Sequence, residues 1–351
     1  MENNGNRPNL TPLSSLGEFG LIELLTRHIE LYQESTERGV GDDCAVILPP
    51  DGQRLLVTTD MLVEGVHFDL GYVPLKHLGY KSVVVNLSDV YAMGGRPTQV
   101  VVSVAMSSRF TVEALEELYE GIRSACKFYK VDLVGGDTTT SPSGLTLSIT
   151  ALGWSNMSPI LRSTANEHDL LVVSGDLGGA YMGLQVLERE KAVYQVNPNM
   201  QPQLDNYTYI LERQLKPEAR RDIIDLMEKL ELQPTSMIDI SDGLSSEILH
   251  LCHESGLGAV VYEDRLPISG EVIEVCGEFD LDPLVPVMNG GEDYELLFTI
   301  ALEDYDKVKG NPDLTVIGHM TAKGEKALLS AKDGQLHGLT AQGWDALKKN
   351  S

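Results

Sequence analysis

The sequence predicts an α/β (α+β) protein of two domains, and three observations support this fold class. The chain has 351 residues, more than the roughly 250–300 at which a single hydrophobic core stops growing. Apolar strand-like runs alternate with helical patterns in both halves. A polar segment with a proline, residues 156–166, separates the halves. We therefore expect domains at residues 1–155 and 156–351.

In the first half, two predicted strands run into a carboxylate or glycine. The strand RLLVTT, residues 54–59, is predicted to end at Asp60, and the strand of residues 131–134 at Gly135-Gly136-Asp137. The helix of residues 78–93 should stop at Gly94-Gly95, because paired glycines terminate helices. The other predicted elements are helices at 18–31 and 112–129 and strands at 100–106 and 145–152.

The second half repeats this alternation. A strand at residues 170–174 runs into the glycine-rich turn of GDLGGAYMG, which opens a helix. Residues 190–210 contain two prolines and several Asn and Gln, which favours a loop. The remaining predicted elements are helices at 217–230 and 243–254 and strands at 237–241, 294–300 and 314–317.

Composition narrows the classes of function. The net charge is −25, which argues against nucleic acid or an anionic membrane as a partner, since both need a basic surface. No apolar run approaches the ~18 residues of a membrane helix, and the polar N-terminus lacks the apolar core of a signal peptide. Four scattered cysteines without a CxxC pair argue against a zinc ribbon or a disulfide scaffold. We expect a cytoplasmic enzyme.

Carboxylates at the predicted strand ends are the most informative feature of the chain. Asp43 precedes a strand, Asp60 and Asp137 follow strands, and Asp239 and Asp242 bracket the end of another. Mg²⁺ prefers oxygen ligands and usually binds one or two carboxylates together with substrate phosphates. Each aspartate could instead be a turn or helix-capping residue. Their recurrence beside Gly, Ser or Thr favours a shared cation-dependent cleft.

Asp89 adds a carboxylate within a predicted helix. Aspartate has weak helix propensity, and the surrounding segment VVVNLSDVYAMGG carries almost no other charge. A solvent-exposed helix face is the alternative explanation. The lack of neighbouring charge makes a functional role the better interpretation.

Several motifs together carry a resemblance to a known family, although no Walker A pattern or protein-kinase catalytic loop occurs. Their order along the chain resembles that of thiamine-monophosphate kinases, which belong to the aminoimidazole-ribotide synthetase superfamily. The resemblance spans about Leu16 to Gly343-Trp344. The motifs are GVGDDCAV (39–46), TTDMLVEGVHF (58–68), NLSDVYAMGG (86–95), LVGGDTT (133–139), LRS (161–163), MIDISDGL (237–244) and GGEDYELLFT (290–299).

The resemblance implies phosphorylation of thiamine monophosphate by ATP, with several Mg²⁺ ions. We expect no covalent nucleophile on the protein, because an ionised acceptor phosphate needs only alignment and screening. The resemblance assigns three sets of residues at matching positions. The metal ligands would be Asp43, Thr58, Thr59, Asp60, Asp89, Asp137, Asp239 and Asp242. The ATP contacts would be Tyr119, Gly136, Asp137, Arg162 and Ser241, and the thiamine monophosphate contacts His67, Glu292 and Trp344.

The family resemblance also implies an architecture. The first domain would bind ATP and Mg²⁺ and pair its strands with those of a second subunit to form a homodimer. The C-terminal α/β domain would complete the active site. The alternating pattern of residues 145–152 is consistent with a half-buried strand in such a sheet.

Phosphoryl transfer suits these residue types, because it needs positioning and charge neutralisation more than covalent chemistry. Arg162 could clamp a phosphate or form a surface salt bridge. His67 could be an ordinary loop histidine, and Trp344 either a core residue or a ring stacked on a cation. The turn Gly175–Gly179 could cradle a phosphate at a helix N-terminus, or it could be a tight strand-to-helix turn.

Two other classes of function stay open. One is another ATP-using enzyme of the same superfamily. Selenophosphate synthetase should show a reactive Cys and Lys near the N-terminus, which residues 1–18 lack, and the hydrogenase-maturation relative a cysteine-containing tail, whereas the chain ends Lys-Lys-Asn-Ser. Aminoimidazole-ribotide synthetase is the hardest alternative to separate. The second class is a non-catalytic nucleotide- or Ca²⁺-binding module, which would bind ATP without turnover.

Overall fold

The computed structural model describes residues 11, 15, 17–38, 46–155 and 159–341. The elements in its first part are α1 (Gly17–Thr26), β1 (Thr36–Arg38), β2 (Val46–Ile47), β3 (Arg54–Val63), α2 (Leu75–Ala92), β4 (Arg96–Met106), α3 (Val112–Tyr129), β5 (Asp132–Thr140) and β6 (Leu145–Ser155).

The second part contains seven α-helices and seven further strands in the described residues. They are β7 (Leu170–Ser174), α4 (Gly179–Val196), α5 (Thr208–Leu215), α6 (Arg221–Lys229), β8 (Ser236–Asp239), α7 (Leu244–Ser255), β9 (Leu257–Tyr262), α8 (Gly270–Glu278), α9 (Leu284–Asn289), β10 (Leu296–Ile300), α10 (Tyr305–Val308), β11 (Leu314–Lys323), β12 (Ala327–Ser330) and β13 (Leu336–Gly338). The predicted mixed α/β fold is confirmed.

The chain divides into two compact units. Unit 1 comprises residues 1–86 and 97–153, and unit 2 comprises residues 87–96 and 154–351. The boundary near residue 153 lies close to the polar segment in the sequence. Residues 87–96, the end of α2 and the turn after it, group with the second unit although they precede β4 in the chain.

Unit 1 is built on a four-stranded sheet with strand order β3-β6-β4-β5, in which β4 and β5 run parallel. Alternate residues of β6 are fully buried from Leu145 to Ala151, as the alternating sequence predicted. Helix α3 begins with Thr111, whose hydroxyl accepts the Ala114 N–H, and its apolar stripe is buried against the core. The buried alternate residues of β6 and the apolar stripe of α3 thus belong to one core.

Two glycines bring α2 and α3 into contact within unit 1. A Cβ on Gly79 would lie 2.0 Å from the Leu118 carbonyl oxygen, and a Cβ on Gly121 would lie 1.9 Å from that of Lys76. The crossing is reciprocal, with each helix placing a glycine against the backbone of the other. No side chain fits at either position without moving a helix.

One face of β3 remains uncovered in the single chain. Leu55, Val57 and Met61 are 48%, 61% and 58% exposed, and they alternate with buried or half-buried residues. Thr59 shares this face and accepts a hydrogen bond from Thr150 on β6 at 3.1 Å. The open face therefore extends from β3 onto β6.

Unit 2 contains a seven-stranded sheet with strand order β13-β12-β9-β11-β7-β10-β8. Strand β10 pairs antiparallel with both β7 and β8, and β11 pairs antiparallel with both β7 and β9. The core of the unit packs α7 and α9 on this sheet, with residues such as Leu171, Ile248 and Leu297 at 0% exposure.

Residues 190–210 differ from the predicted loop. Helix α4 continues to Val196, and α5 already begins at Thr208. A Cβ on Gly183 would lie 2.1 Å from the Ile210 carbonyl oxygen, so this glycine permits the close packing of α5 on α4. The sequence reasoning missed α5 because the prolines and amides before it resemble a longer excursion.

Two strands extend past their predicted ends. Strand β3 continues to Val63 and β5 to Thr140, so Asp60 and Asp137 lie inside strands and not beyond them. The prediction that these aspartates terminate strands is wrong. Sequence pattern favoured a turn at each because Asp and Gly are depleted from strands, whereas backbone pairing with neighbouring strands overrides that preference.

The cysteines among the described residues are buried. Cys126 on α3, Cys252 on α7 and Cys276 on α8 are all free thiols. No helix in the described part of the chain is long and apolar enough to cross a membrane.

Candidate active site

In unit 1, β3 presents Thr58 and Asp60 on one face. Both are half-buried, and they are two residues apart, so their side chains point to the same side of the sheet. Thr59 points to the opposite, open face, where its hydroxyl donates to the Ile149 carbonyl oxygen at 3.0 Å. The structure therefore places the Thr59 side chain on the face opposite to Thr58 and Asp60, so it does not support a ligand role for the Thr59 hydroxyl beside them.

The backbone of Asp60 is fixed by Asn86 on α2. The Asp60 N–H donates to Asn86 Oδ1 at 3.0 Å, and the amide of Asn86 donates to the Ser82 carbonyl oxygen at 3.0 Å. Asn86 is 0% exposed. A buried amide with both ends bonded holds a single orientation, so it locks the position of Asp60 along β3.

His67 follows β3 in a tight turn. The ring Nδ1 of His67 accepts the Val63 backbone N–H at 3.1 Å, and the backbone N–H of His67 donates to the Val63 carbonyl oxygen at 2.9 Å. In the neutral imidazole this places the proton on Nε2. The ring is thereby oriented for donation from Nε2, which suits the predicted contact with a substrate.

The predicted residues on and near β5 have different surroundings. Asp137 is exposed, and its carboxylate accepts the Thr138 N–H at 2.9 Å. Gly136 has a packing reason to be glycine, because a Cβ there would lie 2.0 Å from the Val102 carbonyl oxygen. Tyr119 is buried in α3, which raises its pKa to about 12. Its burial gives no support to a nucleotide contact from within unit 1.

In unit 2, the turn of α2 that carries Asp89 lies at the end of β8. Ser88 Oγ donates to Asp239 Oδ2 at 2.7 Å, and both residues are buried. Asp89 itself is half-buried. The structure therefore brings two predicted ligands, Asp89 and Asp239, to the same end of the unit 2 sheet.

The loop after β8 is held by the first turns of α7. The Asp242 N–H donates to Glu247 Oε1 at 2.9 Å. Burial raises the pKa of Glu247 to about 8, and the hydrogen bond from the Asp242 N–H opposes the shift. Asp242 and Ser241 are half-buried and lie at the loop surface.

This loop interlocks with the turn that carries Glu292. The Glu292 N–H donates to the Ser241 carbonyl oxygen at 2.7 Å, and the Tyr294 N–H donates to that of Ile240 at 2.9 Å. Glycines make the approach possible, because a Cβ on Gly291 would lie 2.6 Å from the Ser241 carbonyl oxygen. The motifs MIDISDGL and GGEDYELLFT thus form one rigid piece.

Asp293 fills the N-terminus of α4. Its carboxylate accepts the Gly178 N–H at 2.7 Å and the Ala180 N–H at 3.3 Å. Burial raises the pKa of Asp293 to about 6, opposed by Arg213 and these two N–H donors. Because the anion at this helix terminus comes from the protein, the turn Gly175–Gly179 is a packed strand-to-helix turn and not a phosphate cradle.

The remaining predicted residues are either exposed or undescribed. Arg162 is exposed, and its carbonyl oxygen accepts from Ser255 Oγ at 2.9 Å. Asp43 and Trp344 lie outside the described residues. The sequence predicted no site role for Ser88, Asn86 or Asp293, although all three lie within the motifs NLSDVYAMGG and GGEDYELLFT.

The residues present fit Mg²⁺ ions that are bound by few protein carboxylates and otherwise by water and substrate phosphates. Among the described residues, no three His, Cys, Asp or Glu side chains group into a metal-binding set. Mg²⁺ retains several waters and uses one or two carboxylates plus substrate phosphates, so it does not need such a set. Within unit 1, Asp60 offers a carboxylate on a backbone that Asn86 fixes. Within unit 2, the Asp239 carboxylate accepts from buried Ser88. Each is an oxygen donor of the kind that Mg²⁺ prefers.

Comparison with known proteins first defines the class. Residues 41–155 match the family model of AIR synthase related protein, N-terminal domain. The motifs and the two-sheet architecture agree with an enzyme of this class.

The full chain then matches individual members of the class. The thiamine-monophosphate kinase of Aquifex aeolicus (strain VF5) is 34% identical over 322 residues, covering 91% of this chain and 96% of that protein. That of Bacillus subtilis (strain 168) is 31% identical over 345 residues, covering 95% and 100%. The solved structure of AaThiL complexed with AMPPCP and TMP has a TM-score of 0.74 at 32% identity, covering 95% and 98%.

This chain belongs to the thiamine-monophosphate kinase family. The resemblance predicted from the motifs is confirmed, and so is the class of enzyme, a phosphotransferase.

We predict that Ser88→Ala lowers the free energy of unfolding by about 1–3 kcal/mol, since buried Asp239 loses a hydrogen-bond donor. Urea denaturation would measure the loss. Ser82→Ala is the matched control on the same helix, because Ser82 Oγ only donates to the Gly79 carbonyl oxygen, a local backbone bond. Equal losses in the two variants would contradict a special role for the Ser88–Asp239 contact.

Proposed function

We propose that this protein phosphorylates thiamine monophosphate with ATP to give thiamine diphosphate. The observation that carries the proposal is the likeness over 95% of the chain to AaThiL, which was solved with AMPPCP and TMP. AMPPCP is an ATP analogue with a non-cleavable β–γ linkage. The two bound molecules in that structure correspond to a phosphoryl donor and acceptor.

Residues of unit 1 are proposed to bind the cation and both substrates. Asp60 and Thr58 share one face of β3, and the buried amide of Asn86 fixes the backbone at Asp60. Asp137, exposed on β5, offers a second carboxylate. His67, with its proton on Nε2, is proposed to donate to thiamine monophosphate.

Unit 2 carries the other residues proposed to bind the cation and the substrates. Asp89 and Asp239 lie together through Ser88, and Asp242 and Ser241 lie on the loop that follows β8. Glu292, on the interlocked turn, is proposed to bind the cationic, amino-bearing part of thiamine monophosphate. Arg162 is proposed to contact a phosphate of ATP.

Several Mg²⁺ ions are implied by the carboxylates and the chemistry. Two unit charges of like sign 4 Å apart repel by about 4 kcal/mol at an effective dielectric of 20. Bound Mg²⁺ would screen the negative charges of the donor and acceptor phosphates. The chain itself would contribute oxygen donors that hydrogen bonds hold in place, such as Asp239 with Ser88.

The proposed path is a single in-line displacement. An oxygen of the acceptor phosphate forms a bond to the γ-phosphorus as the bond from that phosphorus to the β-bridging oxygen breaks, and ADP leaves with the electron pair. The acceptor oxygen is already ionised at neutral pH, so it needs alignment and not a general base. Asp239 is a poor nucleophile for forming an aspartyl phosphate, because it is buried and its carboxylate accepts a hydrogen bond from Ser88.

A homodimer through unit 1 is part of the proposal. The open face of β3, with Leu55, Val57 and Met61 exposed, is apolar and continues onto β6. Exposed apolar patches of this kind mark interaction surfaces. A second copy of the same sheet is the partner that the family architecture implies.

A coupled assay for ADP tests the proposed reaction. We expect turnover with thiamine monophosphate and none with formylglycinamidine ribotide. Turnover with the second substrate only would favour an aminoimidazole-ribotide synthetase. ATP binding without ADP release would favour a non-catalytic binding module.

In the same assay, we predict that Asp60→Asn and Asp137→Asn each lower kcat by at least about 100-fold, since each removes a charge from a cation site with little change of shape. Asp51→Asn is the control, because Asp51 lies exposed in a turn outside the motifs. Circular dichroism would verify that the fold is retained. Wild-type kcat at saturating Mg²⁺ would contradict the metal assignment.

We predict a dimer mass near twice 38.4 kDa by light scattering at micromolar concentration. Val57→Lys should shift the protein to the monomer, because it places a charge on the apolar face. Val196→Lys, at an 88% exposed site of α4, should leave the mass unchanged. A monomeric wild type, or a dimer that tolerates Val57→Lys, would count against this interface.

We predict that chiral thiophosphate transfer proceeds with inversion at phosphorus, as one displacement requires. Incubation with γ-labelled ATP and Mg²⁺ without acceptor should leave the protein unlabelled after an acid quench. Net retention, or stoichiometric label that chases into product, would replace direct transfer by a phosphoenzyme.

A further inference from the structure

Adjacent residues on α5 contact the turn that carries Glu292. Gln214 Nε2 donates to Glu292 Oε2 at 2.9 Å. Arg213 Nη1 donates to Glu295 Oε1 at 2.9 Å, and its Nη2 lies 3.5 Å from Asp293 Oδ1. Two consecutive side chains of one short helix therefore reach three acidic residues of the same turn.

The turn needs such support because its backbone is strained. Glu292 and Tyr294 have φ angles of 58° and 52°, in the left-handed region that non-glycine residues rarely adopt. Such conformations persist only where the surroundings over-determine them. Between these two residues, Asp293 is 2% exposed and is bound by the α4 N-terminus.

Glycines on α4 allow α5 to come close enough for these contacts. A Cβ on Gly183 would lie 2.1 Å from the Ile210 carbonyl oxygen, and a Cβ on Gly179 would lie 3.0 Å from Arg213 Cγ. Gly179 and Gly183 are one helical turn apart, so they form one flat surface for α5. Arg213 crosses this surface and donates to the Asp176 carbonyl oxygen at 2.9 Å.

The contact of Gln214 differs in kind from those of Arg213. Arg213 binds the buried carboxylates that shape the turn, whereas Gln214 binds the half-buried carboxylate of Glu292 itself. An ionised carboxylate only accepts hydrogen bonds, which requires the amide NH₂ of Gln214 to face it. Gln214 is 5% exposed, so its own conformation is fixed by packing.

We propose that Gln214 is a positioning residue that orients the Glu292 carboxylate toward thiamine monophosphate, with Arg213 holding the turn beneath it. This inference rests on the proposed function. The segment after residue 196 would then have a specific role, because it returns the chain to α4 and places α5 against the turn that carries Glu292. A carboxylate held in one rotamer recognises its ligand better than a mobile one, because less conformational entropy is lost on binding.

The test is the Michaelis constant for each substrate in the full-length protein. Gln214→Leu should raise KM for thiamine monophosphate by about tenfold, the order expected when a hydrogen bond to a charged group is lost. KM for ATP and kcat should stay within about twofold. Glu212→Gln, an exposed position on the same helix, is the matched control and should change neither constant.

A double-mutant cycle with Glu292→Gln separates positioning from a general structural effect. If Gln214 acts through Glu292, the double variant should have the same KM for thiamine monophosphate as Glu292→Gln alone. Factors that multiply would overturn the inference, as would parallel changes in both KM values and kcat.

Two further outcomes separate a failure of the Gln214 inference from a failure of the proposed kinase function. If Gln214→Leu fails to fold, Gln214→Glu keeps the shape and turns the donor into a repelling acceptor, and an unchanged KM for thiamine monophosphate would overturn the inference. A wild-type protein that turns over thiamine monophosphate with no effect of Glu292→Gln would also overturn it, leaving the function intact. Absence of wild-type turnover would overturn the function and the inference together.

Discussion

Glu295 is a buried carboxylate bound by two arginines, and much of the second unit depends on that arrangement. It is 1% exposed, Arg213 donates to one of its oxygens, and Arg220 and Ser174 donate to the other. Removing one partner of a buried ion pair costs about 3–5 kcal/mol, because an uncompensated charge stays behind. In a chain with 52 acidic and 27 basic residues, this assignment of two arginines to one glutamate is a strong constraint.

This ion pair also sets the position of the predicted ligands. Glu295 directly precedes β10, and its carbonyl oxygen accepts the Ile240 N–H at 2.8 Å. From there the loop leads to Asp242 on one side, while β8 ends at Asp239 on the other. The hydrogen bonds of Glu295 therefore connect the strand register of unit 2 to the residues proposed to bind the cation. In this unit, the contacts that stabilise the fold are also the ones that position the residues proposed to bind the cation.

Sequence reasoning located the motifs but not the contacts that orient them. The alternation of β6 and the span of α3 follow from local periodicity, which is why both were predicted well. Asp60 was placed at a strand end, because propensity cannot register the pairing partners that extend β3. Arg213 and Gln214 left no local signal at all, since their partners lie some 80 residues away in the chain. Their roles depend on close helix packing that only the folded chain reveals.

The buried cysteines give the molecule a set of internal reporters. Burial raises the pKa of the Cys126 thiol to about 12 and those of Cys252 and Cys276 to about 11. The thiolate is the reactive form, so alkylating reagents can reach these sulfurs only after the surrounding helices open. Cys126 lies in unit 1 and the other two in unit 2. Thiol labelling followed by peptide mapping would therefore read the opening free energy of each unit separately, without any engineered probe.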